Sequence, residues 1–320
     1  MLRSVLIYFS KAHWAQRLVM GWGITWRAAS RFIAGTKIED AVRVIHELNA
    51  RGFNVTLDHL GEHTSTAEEA SDATLAIIDT LVSIEQSGLC ANVSIKLSQI
   101  GLGLDERVCR QNLERILAKA KEFDNFVRID MEDTPYTDQT IGLCEQMRKQ
   151  GYMNVGIAIQ SYLYRTEGDA RKLLEDLTPI RLVKGAYQEP ASKAFPRKAD
   201  VDANFDLLTK LMMDAAAASP EPRGRPQDGC YPPIPAIGTH DEKRIEFATR
   251  YAAKINLPKS AYEFQMLYGI RRDIQEKLRA EGYSVRVYVP FGTHWYPYYM
   301  RRLAERPANI WFFVSNFFRK

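Results

Sequence analysis

Eight short runs rich in β-branched residues recur along this 320-residue chain, and a stretch with helical periodicity separates each from the next. They are FNVTLD (53–58), ANVSIKL (91–97), NFVRIDM (125–131), MNVGIAIQ (153–160), IRLVKG (180–185), PAIGTH (235–240), AYEFQM (261–266) and SVRVYVP (284–290). Between them lie amphipathic segments such as EEASDATLAIIDTLVSIEQSG, RQNLERILAKAKEF and DQTIGLCEQMRKQG. A strand, a crossover helix and a parallel strand form the repeating unit of α/β folds, and eight such units close into a (β/α)8 TIM-like barrel. An open doubly wound sheet is the alternative, but no GxGxxG follows the first run. The expected organisation is one domain, with a helical N-terminal arm over residues 1–50 and the barrel over 51–320. The segment IEDAVRVIHELNARG ends the arm, stopped by Gly52. The stretch ASPEPRGRPQDGCYPP (218–233), rich in proline, glycine and charge, reads as a surface excursion before the sixth strand.

The totals exclude several function classes. A hydrophobic share of 46% with 26% charged residues describes an ordinary globular protein, and a net charge of +4 is too modest to argue for nucleic acid. No basic block interleaved with aromatics appears. The four cysteines are scattered without a CxxC pair, which implies a reducing compartment and neither a disulfide framework nor a zinc site. The start, MLRSVLIYFSKAHWAQ, lacks a small-residue cleavage site, and no run reaches the roughly 18 apolar residues of a spanning helix. The expectation is a cytoplasmic protein that can touch a membrane surface. The sequence leaves its oligomeric state open.

In such barrels chemistry sits where the strands end. Here the runs end on polar side chains: Asp58, Lys96, Asp130, Gln160, Lys184, Thr239 with His240, Gln265, and Tyr288. Any one of them could be a satisfied structural group; eight converging on one mouth point to a site rich in cations, amides and hydroxyls. Such a site suits a small anionic substrate beside a polar heterocyclic cofactor. Near the C-terminus, YYMRRLAER (298–306) puts Tyr298, Arg301, Arg302 and Glu305 on one helical face. That face is either a solvated one with an Arg301–Glu305 pair or a double guanidinium grip on a carboxylate. Glu132 and Asp133 beside Asp130 read as an acidic turn at a helix N-terminus rather than a glycosidase pair. His59-Leu-Gly-Glu62-His63 matches HxxEH, yet Gly61 interrupts it directly after a strand, so a loop is the ordinary explanation and no metal is expected. His294 reads as structural.

With the strand ends and the arginine helix in hand, the chain resembles the flavin-dependent proline dehydrogenases of the single-function bacterial type. The blocks that carry the resemblance are VTLDHLGE, VSIKLSQIG, FVRIDMED, IAIQSYLYRT, RLVKGAY, IGTHD, QMLYG, RVYVPFG and YYMRRLAER, in order over most of the chain. The resemblance implies a distorted barrel that holds FAD at its mouth and oxidises L-proline to 1-pyrroline-5-carboxylate, the first step of proline catabolism. It implies Asp130 and Arg181 as catalytic positions, with Arg181 near the flavin N5. Lys96, Arg301 and Arg302 would pair with the substrate carboxylate, while Tyr288, Leu267 and Tyr298 would wall the ring. Met131, Gln160, Arg181, Lys184, Gly185, Ala186, Thr239 and His240 would line the FAD, and Glu305 would join them by orienting an arginine. The family passes electrons to a quinone, and NIWFFVSNFFRK (309–320) would either lie in a membrane interface or pack on the barrel. Relatives that oxidise hydroxyproline carry a smaller residue at the Tyr298 position. A hydroxyproline-oxidising relative, another FAD-bearing barrel and a non-catalytic proline-binding module remain the alternatives.

Overall fold

The structure is a computed structural model and describes residues 26–305, apart from 28, 62 and 220–228; of residues 304 and 305 it describes the backbone alone. Eight parallel strands close a barrel in sequence order. They are β1 (Asn54–His59), β2 (Ala91–Ile95), β3 (Val127–Ile129), β4 (Val155–Gln160), β5 (Ile180–Val183), β6 (Pro235–Gly238), β7 (Glu263–Leu267) and β8 (Ser284–Phe291). The helices are α1 (Ile38–Ala50), α2 (Ala67–Gln86), α3 (Glu106–Glu122), α4 (Thr137–Lys149), α5 (Thr166–Glu175), α6 (Lys198–Ala218), α7 (Glu242–Lys254), α8 (Arg272–Ala280) and α9 (Trp295–Glu305). Each of the eight β-branched runs coincides with a strand, and β1, β7 and β8 extend one residue beyond theirs.

Period two along these strands sorts the residues. Val55, Leu57, Val93, Ile95, Val127 and Ile129 face outward and are buried under the helices. Each contributes roughly 1.5–3 kcal/mol by leaving water. The alternate positions, among them Thr56, Ser94, Arg128, Arg181, Glu263 and Arg286, bond to one another or to backbone within the barrel. The apolar core is therefore a ring between sheet and helices, and the barrel interior is polar.

Helix α1 buries Ala41, Val44, Ile45 and Leu48, spaced three and four apart, in that core ring. It contacts β1, β8 and α2, so it belongs to the barrel wall. Gly52, at φ +79, turns the chain after it, with Gly52 N–H donating to Asn49 O at 2.8 Å. Thr66 caps α2 by accepting from Glu69 N–H at 3.1 Å, and Glu69 reaches back to Ser65 N–H at 2.6 Å. Helix α9 follows β8 directly and packs elsewhere. Its Trp295, Tyr299, Met300 and Leu303 form a separate apolar cluster with Ala29, Ile33 and Leu60. Two backbone bonds fix this layer to the end of β8, Ala34 N–H to Pro290 O and Gly292 N–H to Gly35 O, both at 2.9 Å. The helix thereby lies at the end where the strands stop.

The 218–233 excursion departs from expectation where it is described. Gly229, Cys230 and Tyr231 tuck against the N-terminal ends of β1, β2 and β3: Asn92 Nδ2 donates to Cys230 O at 2.7 Å, and the Tyr231 ring meets Phe126 edge-on at 5.8 Å. Gly229, at φ +66, passes so close that a Cβ there would stand 2.5 Å from Asn54 Oδ1. The end of the excursion helps close the barrel floor, because the polar interior needs donors and acceptors at that end too.

Candidate functional site

Asp130, the first residue past β3, is the hub of the mouth. Its Oδ1 accepts from Arg181 Nη1 at 2.6 Å and from Ser94 Oγ at 2.7 Å. Its Oδ2 accepts from the Tyr288 hydroxyl at 2.7 Å and lies 3.6 Å from Lys96 Nζ. Lys96 also donates to both oxygens of Asp58 at 3.0 Å. Burial by itself would raise the Asp130 carboxyl, but the Arg181 and Lys96 charges and the bonds from Tyr288 and Ser94 outweigh it and hold the group below the ordinary carboxylate range. Burial and the nearby Asp130 and Asp58 charges push the Tyr288 phenol well above its usual value, so it stays a donor. Strands β1, β5 and β8 each send one group to this network, β2 sends Ser94 and, just past its end, Lys96, and Asp130 follows β3 directly, so the rigid sheet sets its geometry.

Arg181 has a second anchor. Its Nε donates to Gln265 Oε1, Gln265 Nε2 donates to Glu263 Oε1, and Arg286 Nε donates to the same Glu263 oxygen at 2.9 Å. Arg286 Nη1 closes the chain on Val55 O at 2.9 Å. The Arg181 guanidinium also stands over the Tyr288 ring, 5.2 Å from its centroid. Gly238 makes room beside it, since a Cβ there would lie 2.8 Å from both Leu182 O and Val183 Cγ1. Nearer the floor, Arg128 donates to Ile157 O at 3.1 Å and to Pro179 O, beneath the inward-facing Gly156.

The remaining expected positions fall around this centre. Gln160, 3% exposed, gives its Nε2 to Met131 O at 3.5 Å, while its Oε1 is buried without a protein partner. His240 Nε2 accepts from Leu267 N–H at 2.9 Å, which leaves the neutral ring's proton on Nδ1. Thr239 Oγ1 accepts from Asp241 N–H at 3.1 Å. Lys184 is held between Asp202 and Asp241, 2.6 Å from each. Gly185, at φ +116, lies flat on Tyr162, where a Cβ would come within 2.3 Å of the ring; Ala186 follows it, half-buried. On α9, Tyr298 is buried, Arg301 and Arg302 are half-buried, and the Arg302 guanidinium stands 5.2 Å from the Tyr298 ring centroid. The Glu305 side chain and residues 309–320 lie outside the described residues.

Several positions differ from the sequence reading. Gln265 and Tyr288 lie inside β7 and β8 rather than past their ends, because strand stagger brings deeper residues of these two to the common level. Of the expected acidic turn, Asp133 stands at the N-terminus of the 3-10 turn Thr134–Tyr136, whereas the Glu132 carboxylate is buried, accepting from Ser98 N–H at 2.9 Å and from the Ser98 hydroxyl. Burial raises it above the usual glutamate range despite those bonds and the Lys96 and His63 charges. The His59 ring packs on Phe291 at 5.1 Å and the His63 ring on Tyr136 at 6.0 Å; Glu62 of the same motif is outside the described residues. His294 is exposed at the start of α9. Ser94, Glu263, Arg286 and Arg128 were missed. Their signal was a polar or charged residue at every second position of runs such as VRVYV and FVRID.

Comparison with known proteins comes down on one family. The profile of the family described as proline dehydrogenase matches residues 41–314. Proline dehydrogenase 1 of Bacillus subtilis (strain 168) is 40% identical over 321 residues, covering 100% of both chains. Proline dehydrogenase of Deinococcus radiodurans is 42% identical over 298 residues, 91% of this chain and 90% of that one. Among solved structures, proline utilization A from Bdellovibrio bacteriovorus, inactivated by N-propargylglycine, superposes with a TM-score of 0.79 at 25% identity. That match covers 88% of this chain but 33% of the larger protein.

Proposed function

Because the chain belongs to the proline dehydrogenase family and is an oxidoreductase acting on proline, we propose that the barrel mouth is where L-proline is oxidised to 1-pyrroline-5-carboxylate. The observation that carries this reading is Asp130, held ionised among Arg181, Lys96, Tyr288 and Ser94 at the ends of the strands. Asp130 and Arg181 are the catalytic pair. Lys96 with Arg301 and Arg302 binds the carboxylate, and Tyr288, Leu267 and Tyr298 wall the ring. The whole described chain acts as one domain.

The residues present suit FAD. The buried and unpartnered Gln160 Oε1 offers an acceptor to a heterocycle edge, Gly185 keeps the β5 exit flat, and the cations of Arg181 and Lys184 suit an electron-accepting ring. Gln160, Met131, Lys184, Gly185, Ala186, Thr239 and His240, with Glu305, would hold it. Bound FAD supplies the two-electron acceptor for the hydride that leaves the pyrrolidine ring. The chain's own share is placement and field. Three cations fix the substrate carboxylate, the aromatic walls exclude water, and Arg181 stabilises negative charge that grows beside it. A quinone is the proposed final acceptor, met by a cytoplasmic protein at a membrane surface. The apolar, aromatic 309–320 stretch supports that contact, and among the described residues no helix is long and apolar enough to cross a membrane.

The test is a spectrum. The purified protein should be yellow, and L-proline but not NADH should bleach it without oxygen. A protein that takes up no FAD, or a flavin that proline leaves oxidised, overturns the reading.

A further inference from the structure

Arg181 is gripped on two sides, and only one grip was visible as a motif. Asp130 takes Nη1, while Gln265, inside β7, takes Nε. An arginine Nε–H can only donate, and an ionised carboxylate can only accept. Gln265 stands between the two, so one orientation of its amide satisfies both: oxygen toward Arg181, nitrogen toward Glu263. Glu263 is itself fixed. It is 1% exposed, and Arg286, equally buried, donates to the oxygen that Gln265 uses. Reversing the amide would set Nε2 against Arg181 Nε–H and Oε1 against a carboxylate, leaving two buried donors and two buried acceptors face to face.

We infer that Gln265 and Glu263 are positioning residues: Glu263 fixes the polarity of the Gln265 amide, and that amide fixes the plane of the Arg181 guanidinium over the reacting centre. Without Gln265 both hydrogen bonds of the guanidinium, to Asp130 at 2.6 Å and to Ser94 at 3.2 Å, would fall on the one nitrogen Nη1. With Nε also engaged, its plane is set. The expected consequence is a cation held where charge develops, rather than a cation that is merely nearby. This inference rests on the catalytic role proposed for Arg181.

The experiment compares the FAD-loaded enzyme with Gln265→Met, the exchange Glu263→Gln with Gln265→Glu, and Arg181→Lys. Gln265→Met keeps the volume but removes the acceptor for Nε. It should lower kcat for L-proline on the order of tenfold, leave KM within about threefold, and move the midpoint potential of the bound flavin negative. The exchange restores the polarity of the chain, because the carboxylate at 265 accepts from Arg181 Nε while the amide at 263 donates to it and accepts from Arg286. It should recover most of kcat and the wild-type potential. A purely packing role for Gln265 predicts a lower unfolding midpoint with kcat per bound flavin and potential unchanged, and that result overturns the inference. So does an exchange variant that fails to fold or folds without turnover. Arg181→Lys separates the two levels: unchanged kcat and potential there would remove the premise, whereas a large loss there beside an unaffected Gln265→Met would remove this inference alone.

Discussion

Arg181 and Arg128 are both arginines, both buried inside the same barrel, and differ in their partners. Arg181, toward the mouth, meets a carboxylate, a hydroxyl and an amide: Asp130 at 2.6 Å, Ser94 at 3.2 Å, and Gln265. Arg128, toward the floor, meets the carbonyls of Ile157 and Pro179 and the ring of Phe126, 4.9 Å from its centroid. Burial, then the repulsion of Arg181 and Arg286 against the opposing pull of Glu263, lowers the Arg128 pKa well below the usual arginine value. Carbonyls can hold a guanidinium in place but cannot change protonation, whereas Asp130 and its neighbours form a titratable set open to the mouth. On the proposed reading, one residue type thus serves chemistry at one end of the barrel and fills space at the other. The partners decide which.

The largest effect should separate these two arginines. Arg181→Met should lower kcat for proline by about 10²–10³-fold, the typical loss when one transition-state stabiliser is removed. Arg128→Met should shift the unfolding midpoint while leaving kcat within about threefold, since the loss of a buried ion changes stability rather than the mouth. Steady-state kinetics per bound flavin would settle it, and equal losses in the two variants would erase the distinction.

Two glycines give the next test. A Cβ at Gly156 would stand 2.4 Å from Pro179 O and 2.7 Å from Arg128 Nη1; one at Gly238 would press on Leu182 O and Val183, beside Arg181. Either alanine substitution should cost about 1–3 kcal/mol by overpacking. Only Gly238→Ala should also lower kcat, because it displaces the strand that carries Arg181. Denaturant unfolding and turnover, measured together, check the pair.

Tyr298 sharpens the description of the mouth. It is buried on α9 with the Arg302 guanidinium 5.2 Å from its ring centroid; as the proposed wall of the substrate ring, it would leave a hydroxyl added there without an assured partner. Wild type should prefer L-proline to trans-4-hydroxy-L-proline, and Tyr298→Ser should narrow the kcat/KM ratio about tenfold, chiefly by weakening proline. An unmoved ratio would show that the selecting wall lies elsewhere.

The smallest effect is on stability against pH, where two neighbouring carboxylates should act in opposite senses. Asp130 is depressed in the fold, so its contribution is present above the unfolded value of about 3.9 and is lost as pH falls through the folded one. Glu132 is raised, so folding loses stability as pH rises from the unfolded value of about 4.3 through the folded one. Glu132→Gln should therefore flatten the loss on the alkaline side of that window, and Asp130→Asn the loss on the acid side. Unfolding midpoints collected from acid to neutral pH would reveal identical slopes if the two groups were alike.

Much of this was legible in the sequence because it is local. The runs from FNVTLD to SVRVYVP announce eight strands, since β-branched residues bounded by turn signals have few other uses. The amphipathic spacing in IEDAVRVIHELNA specifies a helix and names its buried face. Asp130, Lys96 and Gln160 stood at strand ends, where a barrel collects its chemistry. Depth and partnership were not legible. That Gln265 and Tyr288 reach the mouth from inside their strands depends on the stagger between neighbours, a property of barrel closure that no single segment contains. That α1 joins the wall while α9 lies at the strand ends depends on which apolar faces meet. That Glu132 turns inward to Ser98, and that Gly229 helps close the floor, depends on which buried polar group lacked a partner. Composition and periodicity act over a few residues and so determine the elements; donors and acceptors pair across the barrel, so only the closed fold decides which arginine meets a carboxylate and which meets a carbonyl.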